Sequence, residues 1–350
     1  MINNEHYSET VQGVTEKFVL GNFQLQQGAT LRGAWISYRT HGTLNAAKNN
    51  AILFPHMYSG SHKDMEFYAQ NGWACDPEKY FIIFPGQFGN GVSSSPSNTA
   101  PPYNMGAFPK VQIEDDVIAQ YRLVTEKFGI NELQLVTGWS MGAQQTYEWA
   151  IRYPEMVKRA APIAGTAKCT PHDQLFIGCH MEQLRSDSNF NNGFYTDAHA
   201  CHVGLRRHAQ LWSVMGCCTE FYKAEAWRPC GFSSIEDFVQ GYYENWFLPM
   251  DPNDLLTMAW KWQHGDSSRN TGGALGAALG RIKAKTFVIP FEDDMFFPIK
   301  DIESEQKLVP NSELRVIPSL WGHFTMLSMD SSDHKKIDDQ LKELLAIEVS

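Results

Sequence analysis

The feature that most constrains the fold is a repeated alternation of short apolar runs with amphipathic stretches. The runs are rich in β-branched or aromatic residues and close at glycine, proline or a polar turn residue, as buried strands do. They lie at 50–56, 80–86, 133–138, 160–165, 285–291 and 313–319. Helical patterns within the segments 113–129 and 144–155 separate several of them, and the second helix is predicted to end before Pro154. This order predicts an α/β fold with a mostly parallel central sheet flanked by helices.

The segment 16–42 has a different pattern, in which apolar and polar residues alternate around a probable turn at Gly28. Such alternation predicts strands with one buried face, and two of them joined by a short turn form an antiparallel pair. We therefore expect an antiparallel hairpin at one edge of the sheet.

The strand-helix alternation stops between residues 166 and 273. This region is rich in His, Cys, Trp and Met, and its periodicity is helical throughout. It predicts a helical cap (lid) inserted between two strands. The core is then formed by residues 1–165 and 274–350, a length ample for one large domain with an insertion.

Charge and composition exclude several classes of function. The net charge is -10, with 39 acidic and 29 basic residues, which argues against non-specific binding to nucleic acid or to an anionic membrane. The first residues lack the basic start and apolar core of a secretory signal, and no apolar run is long enough to cross a bilayer. Seven cysteines without CxxC spacing predict free thiols and a cytoplasmic location.

The most specific local motif is Gly138-Trp139-Ser140-Met141-Gly142, between a predicted strand and a predicted helix. Glycines permit the tight strand-to-helix turn that presents the central serine as a nucleophile, and the helix N-terminus favours negative charge there. The alternative is a turn serine without a chemical role. Because a serine hydroxyl is a poor nucleophile at neutral pH, catalysis would require a base and an acid that orients the base.

Both partners occur in the expected order along the chain. Glu292, Asp293 and Asp294 follow one predicted strand, and His323 follows the next, directly after a glycine. An oxyanion hole would combine the backbone N–H of Met141 with one from the loop after an earlier core strand, where Met57 is the candidate.

Other polar and aromatic clusters offer weaker candidates. The histidines and cysteine at His199, Cys201, His202 and His208 lack the spacing of structural zinc sites and of HExxH, so we predict no metal. The Gly/Ser-rich segment 89–98 lacks the lysine of a P-loop, and no cofactor is expected. The arginines could bind an anion but are expected to form surface salt bridges: Arg185, Arg206 and Arg207. The tryptophans could line a pocket or belong to the core: Trp246, Trp260 and Trp262.

Several of these segments resemble homoserine O-acetyltransferases and their relatives in the α/β-hydrolase superfamily. The resemblance runs from about Tyr38 to the end of the chain, and its clearest segments are 38–62, 113–130, 138–157, 251–266 and 291–298, together with Trp321-Gly322-His323. It implies an α/β-hydrolase fold with Ser140 as nucleophile and His323 as base. Asp294 matches the acid, because it lies two residues before the Phe296-Phe297-Pro298 run. The resemblance also implies a homodimer that pairs through the cap.

The chain departs from that family at two cap positions. Where the acetyltransferases resemble one another in an arginine that holds the carboxylate of homoserine, this chain has Met181, and Arg185 is out of register. Pro249 and Met250 stand at a second such position. Loss of a guanidinium removes the bidentate contact with a carboxylate, which argues against homoserine as substrate.

We therefore expect a serine enzyme that forms an acyl-enzyme and hydrolyses a small carboxylic ester. The alternative is an O-acetyltransferase that moves an acetyl group from acetyl-CoA to a homoserine-like alcohol. A third reading is a non-catalytic binding protein on a hydrolase scaffold. The expected partner is a small-molecule ester or acyl donor.

Overall fold

An eight-stranded sheet forms the centre of the molecule in this computed structural model, which describes residues 4–349. The strands lie side by side in the order β1-β2-β4-β3-β5-β6-β7-β8. Their bounds are Glu16–Gln24 (β1), Thr30–His41 (β2), Ala51–Leu53 (β3), Phe81–Pro85 (β4), Leu133–Trp139 (β5), Arg159–Ile163 (β6), Lys285–Val288 (β7) and Ser312–Leu314 (β8). From β4 to β8 all neighbours are parallel. The predicted mostly parallel sheet is confirmed.

The predicted edge hairpin is also confirmed. Strand β1 is antiparallel to β2, and β2 is antiparallel to β4. The last two strands are shorter than the apolar runs that predicted them. In β7 the physical reason is Pro290, which has no N–H to continue a ladder. Isolated parallel bridges, such as the one between Phe291 and Ile317, extend the pairing beyond β7 and β8.

Helices flank the sheet and fill the segment between β6 and β7. Their bounds are Glu9–Gln12 (α1), Ile113–Arg122 (α2), Met141–Arg152 (α3), Pro171–Arg185 (α4), His202–Met215 (α5), Thr219–Lys223 (α6), Ile235–Phe238 (α7), Asn245–Phe247 (α8), Pro252–Gln263 (α9), Leu275–Leu279 (α10), Ile299–Gln306 (α11) and Ser331–Ala346 (α12). Short π-helical segments, Leu123–Lys127 and Val239–Glu244, continue α2 and α7.

Polar side chains lock α2 onto α3, the helix that follows the central serine. Gln120 Nε2 donates to Gln145 Oε1 at 2.7 Å, and Trp149 Nε1 donates to Gln120 Oε1 at 2.9 Å. All three side chains are buried. Paired in this way, polar groups add geometric specificity to an otherwise apolar contact, and the start of α3 is held against the sheet.

The segment between β6 and β7 contains α4 to α10, as its helical periodicity predicts. Helix α4 packs against α5 and α9. Capping side chains begin two of these helices: Thr170 accepts from Asp173 N before α4, and Asp251 accepts from Asn253 N and Asp254 N before α9. The boundaries of the cap at residues 166 and 273 stay a prediction.

A buried ion pair joins the cap to the core. Lys261 Nζ of α9 lies 2.5 Å from Asp116 Oδ2 of α2, and neither side chain is exposed. Lys261 Nζ also donates to the Phe88 carbonyl, while Phe88 N–H donates to Asp116 Oδ1. Burial lowers the pKa of Lys261 and raises that of Asp116, and in each case the partner's charge opposes the shift. Each buried group therefore depends on the opposite charge of its partner to remain ionised.

Removing one charge should destabilise the protein strongly. We expect Lys261→Met to lower the free energy of unfolding by about 3–5 kcal/mol, because Asp116 is left as an uncompensated buried charge. The double variant Asp116→Asn/Lys261→Met should recover most of that loss, since the asparagine oxygen can still accept from Phe88 N–H. Urea unfolding followed by fluorescence measures both. A double variant no more stable than Lys261→Met would contradict this account.

Candidate active site

Ser140 occupies a strained turn between β5 and α3. Its backbone has φ 60° and ψ -119°, a region that residues with a side chain rarely adopt. A Cβ on Gly142 would lie 2.4 Å from the Pro55 carbonyl oxygen, and one on Gly138 would lie 2.6 Å from the Gly142 carbonyl oxygen. The motif therefore needs both glycines, because the turn packs directly against the loop that follows β3.

The structure brings together three side chains that are distant in sequence. His323 Nε2 lies 2.9 Å from Ser140 Oγ, and His323 Nδ1 lies 2.7 Å from Asp294 Oδ2. The remaining carboxylate oxygen of Asp294 accepts the backbone N–H groups of Phe296 and Phe297 at 2.8 and 3.0 Å. With Nδ1–H donating to the carboxylate, Nε2 is left as an acceptor for the serine hydroxyl. This is the geometry needed to take a proton from serine.

Asp294 is distinguished from its acidic neighbours by burial and contact. It is buried in the loop that follows β7, whereas Glu292 and Asp293 of the same loop are exposed. His323 follows β8 in a short helical turn, after Gly322 at φ +53°. A Cβ on Gly322 would meet the Cys218 backbone nitrogen at 2.9 Å, so the glycine lets the cap backbone approach the histidine closely.

The two candidate oxyanion donors lie in adjoining backbone segments. Met141 is the first residue of α3, so its N–H has no carbonyl partner within the helix. Met57 belongs to the loop after β3, whose Pro55 carbonyl packs against Gly142. Both methionines are buried. Their assignment as the two oxyanion donors stays a prediction.

A polar network that sequence reasoning missed fixes the peptide before Met57. His56 Nδ1 bonds the Met57 carbonyl at 2.9 Å, Asn90 Nδ2 donates to His56 Nε2 at 3.1 Å, and Gln87 Nε2 donates to the His56 carbonyl at 2.6 Å. Burial lowers the pKa of His56 to about 3, so the ring is neutral. The only sequence signal was the pair of amide side chains, Gln87 and Asn90, in the glycine-containing segment directly after β4.

Aromatic side chains enclose the histidine and the serine. Ring centroids of Trp139, Phe296 and Phe297 lie 5.1, 5.0 and 5.5 Å from that of His323. Trp212 of the cap packs against Phe296 in a tilted arrangement, with ring centroids 4.6 Å apart. The relative exposure is 2% for Ser140 and 1% for His323, so water is largely excluded and electrostatic interactions in the site are strengthened.

The sequence did not assign three tryptophans to either a pocket or the core, and the structure places them in different surroundings. Trp262 is buried in this aromatic cluster, with ring centroids 5.8 Å from Phe296 and 6.0 Å from Phe297. Trp246 donates its indole N–H to Ser59 Oγ at 2.8 Å. Trp260 is only partly buried and stacks on His264.

A cavity of about 490 Å³ lies beside the site, among the N-terminal segment, the loop after β3 and the cap. Its wall includes Tyr58 and Ser59, which directly follow Met57, and Tyr242 and Trp246 of the cap. Tyr58 also stacks on Trp212, with centroids 5.7 Å apart. The volume is within the range of small-molecule sites, although the cavity wall does not include Ser140.

The cap arginines form surface contacts. Arg185 pairs with Glu182, Arg206 pairs with Glu244, and Arg207 donates to Ser186. The positions at which the family resemblance implied arginines hold instead the buried side chains Met181 and Met250.

The candidate metal cluster is dispersed in the structure. His208 is buried and bonded to Trp212 Nε1 and to the His180 carbonyl, whereas His202 is exposed. Within residues 4–349, no three His, Cys, Asp or Glu side chains are grouped in a way that could hold a metal ion. The seven cysteines are free thiols. No helix in the described part of the chain has the length and apolarity needed to cross a membrane.

Comparison with known proteins places this site in context. No protein-family model matches the chain. A probable esterase of Corynebacterium glutamicum is 51% identical over 346 residues, 98% of this chain and 99% of that protein. The ethyl acetate hydrolase of Pseudomonas veronii is 49% identical over 344 residues, again 98% and 99%.

Comparison with solved structures also finds an ester hydrolase. The crystal structure of an acetylester hydrolase from Corynebacterium glutamicum superposes with a TM-score of 0.97 at 50% identity and covers 99% of this chain and 100% of that one. A homoserine O-acetyltransferase of Leptospira biflexa is 29% identical over 328 residues, 87% of this chain and 85% of that protein. The chain is thus an enzyme that belongs to the homoserine O-acetyltransferase-like family of α/β-hydrolases, and it is more similar to the ester hydrolases named here than to that acetyltransferase.

Proposed function

We propose that the protein is a serine esterase that hydrolyses small carboxylic esters through an acyl-enzyme. The single observation that supports it most is the continuous contact from Ser140 Oγ to His323 Nε2 and from His323 Nδ1 to Asp294, at 2.9 and 2.7 Å. A serine needs such a base within hydrogen-bond reach to become a nucleophile.

In the proposed acylation, Ser140 Oγ attacks the ester carbonyl carbon while His323 Nε2 takes the hydroxyl proton. The N–H groups of Met57 and Met141 hold the carbonyl oxygen as it becomes negative. The carbon–oxygen bond to the alcohol then breaks, and His323 delivers its proton to the departing oxygen. Asp294 stabilises the imidazolium and keeps Nδ1 protonated throughout.

In the deacylation, water takes the place of the alcohol. His323 removes a proton from the water, which attacks the acyl carbon, and the proton returns to Ser140 Oγ as the carboxylic acid leaves. The strained φ of Ser140 keeps the hydroxyl at the tip of the turn in both halves of the reaction.

Hydrolysis is favoured over acetyl transfer by the chemistry of the cap. Buried methionines at positions 181 and 250 offer no charge to the carboxylate of homoserine. The relatives named as esterase and ethyl acetate hydrolase are about half identical to this chain, whereas the acetyltransferase is 29% identical. Acetyl transfer is therefore the second candidate.

A short acyl or alkyl chain is favoured by the enclosure of the site. The catalytic side chains are almost completely buried beneath Trp212 and Phe296, so a long chain would displace well-packed rings. Pairing of two copies through the cap and a cytoplasmic location stay predictions from the sequence.

Two assays of the purified enzyme test this function. We expect hydrolysis of ethyl acetate with a kcat/KM at least roughly tenfold above that for ethyl hexanoate, because extra methylenes must fit among packed rings. Incubation with acetyl-CoA and homoserine should consume thioester no faster than acetyl-CoA alone. Acid release and thiol release measure the two reactions, with heat-denatured enzyme as blank. Homoserine-dependent thioester consumption faster than ester hydrolysis would reverse the ranking.

A further inference from the structure

His180 of α4 has two buried ring nitrogens without a hydrogen-bond partner among residues 4–349. Its relative exposure is 1%. Burial and the neighbouring His208 lower the pKa of His180 well below the usual value, so the ring is neutral, with one donor and one acceptor. Leaving a buried polar group unpaired costs about 1–3 kcal/mol, and such a group calls for a binding partner.

The neighbouring His208 shows that this part of the cap can satisfy a buried histidine. His208 Nε2 accepts from Trp212 Nε1 at 2.9 Å, and His208 Nδ1 bonds the His180 carbonyl at 3.1 Å. The ring centroids of the two histidines are 5.1 Å apart. Of these two neighbouring histidines, only His180 has ring nitrogens without a hydrogen-bond partner in the described chain.

A second unpaired donor lies in the same cluster. Trp262 of α9 is 1% exposed, and its indole N–H has no partner in the described chain. His180 and Trp262 contact the same three rings. These rings are Phe176, Trp212 and Phe296.

These shared rings connect the two unpaired groups to the proposed base. The centroid of Phe296 is 6.0 Å from His180, 5.8 Å from Trp262 and 5.0 Å from His323. The backbone of Phe296 also donates to Asp294. His180 and Trp262 thus lie one aromatic ring away from the reacting centre, on the cap side.

We propose that His180 and Trp262 form a polar subsite that binds an oxygen atom of the substrate outside the ester group itself. This inference rests on the proposed ester hydrolysis and adds a substrate class, namely small esters whose acyl or alcohol part carries an ether, keto or hydroxyl oxygen. Two N–H donors in an apolar enclosure favour such an oxygen over a methylene of similar size. The acyl and alcohol sides are separate arms of the test.

The test compares esters that differ only by oxygen in place of a methylene. 2-Methoxyethyl acetate is paired with butyl acetate for the alcohol side, and ethyl methoxyacetate is paired with ethyl butanoate for the acyl side. We expect His180→Phe and Trp262→Phe to lower the preference for the oxygen-bearing ester roughly tenfold in one pair, the loss of one hydrogen bond. The loss should lie in KM, because the contact exists before and during reaction. Comparing each variant with wild type cancels the intrinsic reactivity of each ester.

A matched control is His334→Phe. His334 of α12 is half-buried, its Nε2 also lacks a partner in the described chain, and its ring contacts Phe67 and Tyr68. It should leave both preferences unchanged. If His180→Phe does not fold, Trp262→Phe and His180→Asn remain, the second keeping one donor and one acceptor and therefore part of the preference.

The outcomes separate this inference from the proposed function. If wild type hydrolyses none of the four esters, the proposed function fails. If it hydrolyses them but both cap variants leave both preferences unchanged, the subsite is wrong and His180 is satisfied by trapped water alone. Thermal unfolding provides a second readout. His180→Phe should raise the melting temperature if the His180 nitrogens are unpaired until substrate binds, and should lower it if they are hydrogen-bonded to structural water.

Discussion

Replacing Ser140 by alanine is expected to lower kcat for ester hydrolysis by roughly 10⁴- to 10⁶-fold. The hydroxyl oxygen of Ser140 lies 2.9 Å from His323 Nε2, and no acyl-enzyme can form without it. Residual turnover would come from the oxyanion donors and substrate binding alone. The free energy of unfolding should change little, since alanine occupies the same backbone conformation as serine.

Steady-state kinetics with ethyl acetate measure this effect, and labelling with a fluorophosphonate probe checks the nucleophile directly. Wild type should be labelled at Ser140, and the variant should not. Ser213→Ala is a suitable control, because that hydroxyl donates a solvent-exposed hydrogen bond to the Gln210 carbonyl of its own helix. Full activity in Ser140→Ala, or a wild type that resists labelling, would favour a binding protein over an enzyme.

Replacing Asp294 by asparagine is expected to lower kcat by about 10⁴-fold. The amide oxygen can keep the bonds from Phe296 N–H and Phe297 N–H, which leaves the amide NH₂ group directed at His323 Nδ1. Two donors would then meet, so the imidazole is driven to the tautomer that carries its proton on Nε2. That tautomer cannot accept the proton of Ser140.

The neighbouring acid gives a matched control of the same chemistry. Asp293 is exposed, so Asp293→Asn should retain kcat within about twofold of wild type, in keeping with the small effect of surface substitutions. KM should change little in either variant, because neither carboxylate is proposed to hold the substrate. A larger loss of kcat in Asp293→Asn than in Asp294→Asn would mean that the wrong acid has been assigned.

Much of the fold follows from local patterns. The six core strands, the edge hairpin and the principal cap helices were predicted from apolar periodicity and turn residues, because burial of one face leaves its period in the sequence. The glycines around Ser140 were also informative, since a turn that packs on the Pro55 carbonyl excludes a Cβ. Ends of strands were less accurate, because prolines such as Pro290 are compatible with an apolar run but not with a continued ladder.

The candidate site was predictable only in part. The order of motifs along the chain suggested Ser140, an acid from the segment 292–294 and His323. It could not show whether these side chains lie within hydrogen-bond distance of one another. The choice of Asp294 came from family resemblance, and its burial against the backbone of Phe296 and Phe297 supplies a physical reason. The hydrogen bonds of His56 with its amide partners were not predicted, because a histidine in a loop has no periodicity that indicates its role.

By itself, the sequence determined the α/β architecture, the helical character of the segment between β6 and β7 and the types of residue available for acyl transfer, since these depend on interactions between near neighbours in the chain. Only the tertiary structure decided which acid contacts His323 and that Lys261 of α9 is neutralised by Asp116 of α2. It alone also showed that His180 and Trp262 have polar atoms without a hydrogen-bond partner among residues 4–349. Hydrogen bonds and desolvation act over a few ångströms, and residues as far apart in the chain as Asp116 and Lys261 come within that distance only when the sheet and the helices between β6 and β7 are assembled.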